Sequence, residues 1–194
     1  LERVRLLLEA WYDDAAFMDR IGAFAQSLTD DGRIVSLAQK LVQLTMPGIP
    51  DVYQGCELWD YSLVDPDNRR PVDYPRRRRL LEQVTDATPE TILAGSAAGL
   101  PKLWVVRQAL HTRRRLGPLG EYQPVPADDG YLAFSRGDRL VTVVPLCAAP
   151  EEGRVELPEG RWQNLLTGGE VLGGNQPTAE LLAEFPVALL ERID

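Results

Sequence analysis

Hydrophobic side chains recur every three or four positions through the N-terminal part of the chain. The pattern predicts one amphipathic helix from Leu1 to Tyr12, a second from Ala15 to Leu28, and a third that begins after Gly32. The third helix is expected to end at Pro47 and Gly48, because proline cannot continue the helical hydrogen bonds and glycine commonly follows a helix terminus. This part of the chain is therefore predicted to be helical.

The pattern changes at Ile49. The run from Ile49 to Gln54 is short, apolar and aromatic, and it predicts a buried strand that begins beside Pro50. No period is found from Cys56 to Pro75, a segment that contains several prolines. Loops of this length in compact proteins are usually functional or disordered. The aromatic and charged side chains of this loop favour a function, namely Trp59, Tyr61, Arg69, Arg70 and Tyr74.

Two further helices are predicted before the pattern changes again. One begins near Arg76 or at Thr88-Pro89, where a threonine cap precedes a proline at the first helical position, and the other runs from Pro101 to about Arg115. Beyond them, short apolar runs alternate with glycine, proline and Asp-Gly signals, and Gly137-Asp138 is a plausible hairpin turn. The sequence thus predicts an α+β chain with a boundary between residues 1–117 and an all-β domain of residues 118–194.

Composition and charge exclude several classes of function. The 194 residues are 44% hydrophobic and 26% charged, which is typical of a globular protein. The net charge of -8 argues against nucleic-acid and anionic membrane partners, and the run Arg76 to Arg79 is interpreted as a solvated helix start. No apolar segment reaches the roughly 20 residues of a spanning helix. A cytoplasmic location is expected.

The chain carries few residues that bind metals or activate nucleophiles. Cys56 and Cys147 lie far apart, and His111 is the single histidine, so neither a zinc site nor a histidine-based triad is expected. His111 is interpreted as a cation near a helix C-terminus. The segment DPDNRRPVD lacks the central glycine and terminal glutamate of a calcium loop. We therefore assign no metal ligand and predict no cofactor, while calcium binding stays open.

The long loop combines groups that sugars bind. Trp59 next to Asp60 offers a ring face for C–H surfaces beside a carboxylate for hydroxyls, although Trp59 could equally pack the loop onto its own scaffold. Asp65, Asn68 and Arg69 also allow two interpretations. They form either a turn that bonds its own backbone or, because consecutive arginines between prolines present rigid donors, a binding site.

These segments together resemble the end of an enzyme of the α-amylase superfamily, glycoside hydrolase family 13. PGIPDVYQGCE, from Pro47 to Glu57, resembles the eighth strand of its (β/α)8 barrel. The longer stretch from Ser36 to Tyr74 resembles the maltooligosyltrehalose synthases nearly residue for residue, and LPKLWVVRQAL and FPVALL resemble further segments of that family. The resemblance implies that the TIM barrel ends near residue 117 and that an antiparallel β-sandwich follows it.

The resemblance also implies an activity. The family converts the reducing-end α-1,4 bond of a maltooligosaccharide into an α,α-1,1 bond, an isomerase reaction of trehalose biosynthesis that uses a carboxylate nucleophile and an acid/base carboxyl. The motifs that carry these carboxylates are absent from this chain, so no catalytic residue is assigned. The implied partners are the maltooligosaccharide substrate and the missing N-terminal part of the same enzyme, and the fragment is expected to be inactive alone.

Site residues follow from the same resemblance. The loop after strand eight would emerge on the catalytic face of the barrel. Asp65 and Arg69 match family positions near the glucose that is turned around, and they are expected to bind its hydroxyls. Asn68 and Arg70 are assigned the same role, while Glu57 is implied to be structural.

Two alternatives and one physical consequence remain open at this point. The chain could be a carbohydrate-binding or structural β-sandwich module, which exposed aromatic residues on one sheet face would favour, or part of an α-glucan hydrolase. An incomplete barrel should also expose apolar stripes, for example Ile34, Leu37 and Leu41, so self-association is expected.

Overall fold

Three helices follow one another at the N-terminus of the computed structural model, which describes residues 1–62, 69–148 and 150–194. Asp14 separates the first two, because its side chain accepts a hydrogen bond from the amide of Phe17 at 3.0 Å and caps the second helix. The three helices predicted from the periodicity are present as α1 (Glu2–Asp13), α2 (Ala15–Ser27) and α3 (Thr29–Thr45). The predicted start of the third after Gly32 is wrong, because Thr29 to Gly32 form its first turn.

The sequence offered two alternative starts for a single helix beyond the loop, and each of them begins a helix, so this part of the described chain has one helix more than predicted. Asp73 caps one helix by accepting from the amide of Arg76 at 2.8 Å, and Thr88 caps the next by accepting from the amide of Thr91 at 3.3 Å. Each cap precedes a proline in the first helical turn. The helices are α4 (Tyr74–Thr85), α5 (Pro89–Ala94) and α6 (Leu100–Leu116), with a 3-10 turn (Ser96–Ala98) before α6.

The strand predicted from Ile49 to Gln54 is not present. The chain bends after α3 and continues without regular structure, and Ile49 is 97% exposed. A strand exists only where a neighbouring strand accepts and donates its backbone hydrogen bonds, and no described residue forms a ladder with this segment. The side chain of Gln43 instead donates to the carbonyl of Asp51.

The C-terminal part forms one antiparallel sheet in the order β1-β2-β3-β6-β4-β5, as the α+β prediction requires. The predicted hairpin turn is confirmed, since Gly137 connects β2 to β3 with a positive φ of 59°. The long fourth strand changes register between Leu157 and Arg161. The strands are β1 (Tyr122–Pro124), β2 (Tyr131–Arg136), β3 (Leu140–Pro145), β4 (Arg154–Asn164), β5 (Glu170–Pro177) and β6 (Ala188–Arg192), and the short helix α7 (Thr178–Leu181) precedes β6.

The sheet folds over on itself and has a core on each face. Val155 of β4 pairs with Ala127, which follows β1, so the two ends of the sheet come together. One core lies between the sheet and helices α3 and α6, and the other lies inside the folded sheet around Trp162. Adjacent residues of β3 belong to different cores, Leu140 to the first and Val141 to the second.

Two arginines join the end of α3 to the rest of the fold. Arg113 of α6 donates to the carbonyls of Leu44 and Gly48, each at 3.0 Å, and Arg136 of β2 donates to the carbonyl of Thr45 at 2.6 Å. The last carbonyls of a helix have no partner within the helix, so these guanidinium groups satisfy acceptors that would otherwise be unpaired.

Exposed apolar side chains occur at a different place from the one expected. Leu37 and Leu41 are 3% and 0% exposed, because α3 packs on α6 and the sheet, so the expected stripe of Ile34, Leu37 and Leu41 is wrong. Helices α1 and α2 bury no residue at all and expose Leu7 and Phe24, among others. Among the described residues, no helix is both long and apolar enough to cross a bilayer.

Candidate functional site

A cavity of about 360 Å³ opens where the long loop returns to helix α4. Residues from both ends of the loop line it, including Trp59, Asp60 and Ser62 from the first end and Arg70 from the second. The volume falls in the range of about 300–1,000 Å³ that ligand pockets occupy. This cavity is therefore the candidate binding site in the helical part of the chain.

The sequence-predicted site residues are located only in part. Arg70 lines the cavity together with Trp59. Arg69 is exposed next to it, and both arginines have interaction partners. Asp65 and Asn68 lie outside the described residues, so their role as hydroxyl-binding partners stays a prediction.

The surroundings of Trp59 fit both interpretations of this residue, namely packing of the loop onto its scaffold and lining of a binding site. Its indole N–H donates to the carbonyl of Ser96, which anchors the loop to the segment before α6. Two cations lie over the ring, the Arg33 Cζ at 5.8 Å and the Lys102 Nζ at 5.9 Å from its centroid. Because the tryptophan is only partly buried, it also contributes to the wall of the cavity.

The electrostatics beside Trp59 involve one lysine and one carboxylate. Lys102 is 6% exposed, and burial lowers its pKa, with a further contribution from the nearby charge of Lys40. Asp60 accepts from the hydroxyl and the amide of Ser62, and these hydrogen bonds lower the pKa of the Asp60 carboxyl. Asp60 is thus an ionised acceptor at neutral pH, suited to a sugar hydroxyl rather than to general-acid chemistry.

Arg77 is the site residue that the sequence interpretation missed. Its Nε donates to Glu57 Oε2 at 3.0 Å, its Nη2 to the carbonyl of Gly55 at 2.6 Å, and its Nη1 to the carbonyl of Asp73 at 3.2 Å. The interpretation of the arginine run as solvated is therefore wrong for this residue, although its neighbours are exposed. The sequence carries no signal that singles out Arg77, because it stands in a run of four arginines and its partners Glu57 and Gly55 are distant along the chain.

Gly55 gives the loop its tight start. Its φ is +89°, a conformation that favours glycine, and a Cβ added there would lie 3.0 Å from Cγ2 of Val72. The two ends of the loop are thus in direct contact beneath the cavity. Glu57, which the resemblance implied to be structural, is held next to this contact by Arg77.

The aromatic residues of the sheet do not form an exposed face. Phe134, Trp162 and Phe185 are fully buried and are core residues. Tyr122 is 44% exposed and packs on Phe134 at a ring-centroid distance of 5.3 Å. A second groove, of about 450 Å³, lies between the β4–β5 hairpin and α7, and none of the predicted site residues lines it.

Known proteins resemble almost the whole chain. No protein-family model matches it. It is 38% identical over 203 residues to a protein of Mycobacterium tuberculosis (strain H37Rv) named maltooligosyl trehalose synthase, an alignment that covers 95% of this chain and 24% of the relative. The structure of the maltooligosyltrehalose synthase from Arthrobacter ramosus superposes with a TM-score of 0.84 at 33% identity, covering 99% of this chain and 26% of that one. Another crystal structure of a maltooligosyl trehalose synthase gives a TM-score of 0.84 at 27% identity.

The α+β fold and the extent of these matches define the chain as the counterpart of the C-terminal region of large carbohydrate-converting enzymes. The chain belongs to the maltooligosyltrehalose synthase family. It spans about a quarter of the length of the relatives that it matches.

Proposed function

We propose that this chain forms the C-terminal part of an intramolecular transglucosylase. The enzyme would convert the reducing-end α-1,4 bond of a maltooligosaccharide into an α,α-1,1 bond in the cytoplasm. The observation that carries the proposal is the 38% identity over 95% of the chain to a protein named as such a synthase. In this proposal, residues 1–117 form the end of the (β/α)8 barrel and residues 118–194 form a terminal β-domain.

From the requirements of the reaction we infer that this chain contributes to substrate binding. A retaining transfer needs a nucleophilic carboxylate and an acid/base carboxyl, which another part of the polypeptide would supply. The released glucose must stay bound, turn around and attack through its anomeric hydroxyl while water is kept out. Donors and acceptors at the loop cavity, Arg70 and Asp60, suit such a glucose, and Asp65, Asn68 and Arg69 are proposed to bind its hydroxyls.

The proposed macromolecular partner is the N-terminal part of the same kind of enzyme. Helices α1 and α2 support this, because they carry apolar side chains and bury none of them. In the absence of that partner, the same surface is expected to promote self-association. The negative charge of the chain does not favour nucleic acid as a partner.

Complementation tests the proposed function. This chain is co-expressed with the M. tuberculosis relative truncated before its matching C-terminal region, and maltopentaose is followed by proton NMR. We expect the α,α-1,1 anomeric signal only when both parts are present. Free glucose without that signal would indicate a hydrolase instead. Broadening of the maltopentaose lines by this chain alone, with no product in the mixture, would favour a sugar-binding module.

A further inference from the structure

Arg77 connects the two ends of the loop that borders the candidate cavity. Its guanidinium reaches Gly55 and Glu57 at the first end and Asp73 at the second end. We propose that Arg77 is a positioning residue that fixes the width of the loop cavity and thereby keeps the released glucose in place for its attack through the anomeric hydroxyl. This inference rests on the proposed function.

The three contacts explain why this position requires an arginine. The three donors point to three different acceptors, a carboxylate and two carbonyls, at 3.0, 2.6 and 3.2 Å. The planar fork of arginine can serve all three at once, whereas the single ammonium of lysine cannot reach the same set. The Arg77 and Glu57 side chains are 19% and 27% exposed, so solvent screens this pair less than an exposed one.

The hydrogen bonds of Arg77 to Gly55, Glu57 and Asp73 form a clamp, and the cavity lies directly against it. Arg77 is itself part of the cavity lining, together with Arg70 from the second end and Asp60 from the first end. If the clamp is lost, the close approach of Gly55 to Val72 is apolar and does not replace the directional hydrogen bonds of Arg77. Arg70 and Asp60 would then no longer be held at a fixed separation.

The expected effect is a change in the fate of glucose rather than in the cleavage of the first bond. The catalytic carboxylates are proposed to lie in another part of the polypeptide, so substrate consumption should change little. A displaced loop lets glucose leave and water enter, and we expect the ratio of free glucose to trehalose-capped product to rise roughly three- to tenfold. Loss of general folding stability would lower both products together and leave this ratio unchanged.

A first experiment tests the clamp in this chain alone. Hydrogen exchange is measured by NMR at the amides of Cys56 and Tyr74, which donate to the carbonyls of Tyr53 and Val72 at the two ends of the loop. In Arg77→Gln we expect exchange at both amides to accelerate by roughly tenfold. Arg79→Gln, which removes the same charge from an exposed position of the same helix, should leave both rates unchanged. Equal rates in the two variants would overturn the inference.

A second experiment uses the complemented enzyme and measures the product ratio. We expect Arg77→Gln to raise the ratio of free glucose to trehalose-capped product. Arg77→Lys should raise this ratio less, and Arg79→Gln should leave it as in the unsubstituted protein. Glu57→Gln keeps the size of the side chain and weakens one contact, so it serves if Arg77→Gln fails to fold. An unchanged ratio in both Arg77→Gln and Glu57→Gln would overturn the positioning role. If the unsubstituted mixture makes no product, the proposed function fails, and the exchange experiment still decides whether the clamp exists.

Discussion

The guanidinium of Arg136 donates from Nη1 to the main-chain carbonyl oxygen of Thr45 at 2.6 Å. The contact joins the sheet to the C-terminal end of α3, where the helix dipole is negative. Arg136 also donates from Nε and Nη2 to the carbonyl of Gly120 at 3.2 and 2.9 Å. Burial lowers the pKa of the Arg136 guanidinium, with a further contribution from the charge of Arg113. The carbonyls of Thr45 and Gly120 thus accept the hydrogen bonds of the Arg136 guanidinium, whose residue is only 8% exposed.

Replacing Arg136 should destabilise the whole fold. In Arg136→Gln the carbonyl of the buried Thr45 and that of the exposed Gly120 both lose a charged donor. Because the Thr45 carbonyl is then left buried without this partner, we expect the free energy of unfolding to fall by about 2–3 kcal/mol. Urea denaturation measures the change. Arg139→Gln is the control, because Arg139 is exposed on the adjacent turn and should change the free energy by less than about 0.5 kcal/mol. Equal effects of the two substitutions would contradict the prediction.

Gly55 should not tolerate a side chain. In Gly55→Ala the positive φ and the close approach of the new Cβ to Val72 both raise the energy of the folded state, and we expect a loss of about 1–3 kcal/mol. Gly48→Ala separates the two causes, because Gly48 has a φ of +101° but no atom within 4 Å of the added Cβ. Thermal unfolding should show the smaller loss in Gly48→Ala. A larger loss there would mean that contact with Val72 is unimportant.

Lys102 makes stability depend on alkaline pH. Its pKa is lowered in the folded state, so between that value and the pKa of about 10.4 in the unfolded chain the unfolded state binds more protons. The buried charge of Lys102 therefore destabilises the folded state progressively less as pH rises through this window. Lys102→Met should be more stable than the unsubstituted protein near neutral pH, and the difference should shrink towards pH ~10. A difference that is independent of pH in urea denaturation would contradict this account.

Helices α1 and α2 should be dispensable for the rest of the fold. They bury no residue, so a variant that begins at Leu28 is expected to keep the melting temperature within about 2 °C. The same variant should self-associate less than the full chain in sedimentation velocity. Leu172→Glu, which changes an exposed leucine of β5, is the control and should leave self-association unchanged. A full chain that sediments as a monomer at all concentrations would disprove the expected self-association.

Arg69 is predicted to hold a sugar hydroxyl in the complete enzyme. Arg69→Ala, assayed after complementation, should raise free glucose relative to the trehalose-capped product by roughly tenfold, because a charged hydrogen bond to the retained glucose is lost. Arg79→Ala provides the matched control. If Arg69→Ala gives the same product ratio as its control, the assignment of Arg69 to substrate binding is incorrect.

The sequence by itself determined the features that depend on neighbouring residues along the chain. The threonine cap Thr88, followed directly by Pro89, marks a helix start in the sequence, and the helix begins there because the cap and the fixed proline φ act locally. Gly137 marks the β2–β3 turn for a similar reason. Irregular composition is itself a local signal, and the described ends of the predicted loop, which carry Trp59 and Arg70, border the cavity.

Tertiary structure alone decided the features that depend on partners distant in the sequence. Ile49 to Gln54 has the composition of a strand, but strand pairing needs a neighbour, and none of the described residues provides one. Leu41 is fully buried because α6 and the sheet cover it. Arg77 and Arg79 cannot be told apart by residue type within a run of four arginines. Their roles differ because only the guanidinium of Arg77 faces Glu57 and Gly55, and a hydrogen bond depends on distance and direction rather than on composition.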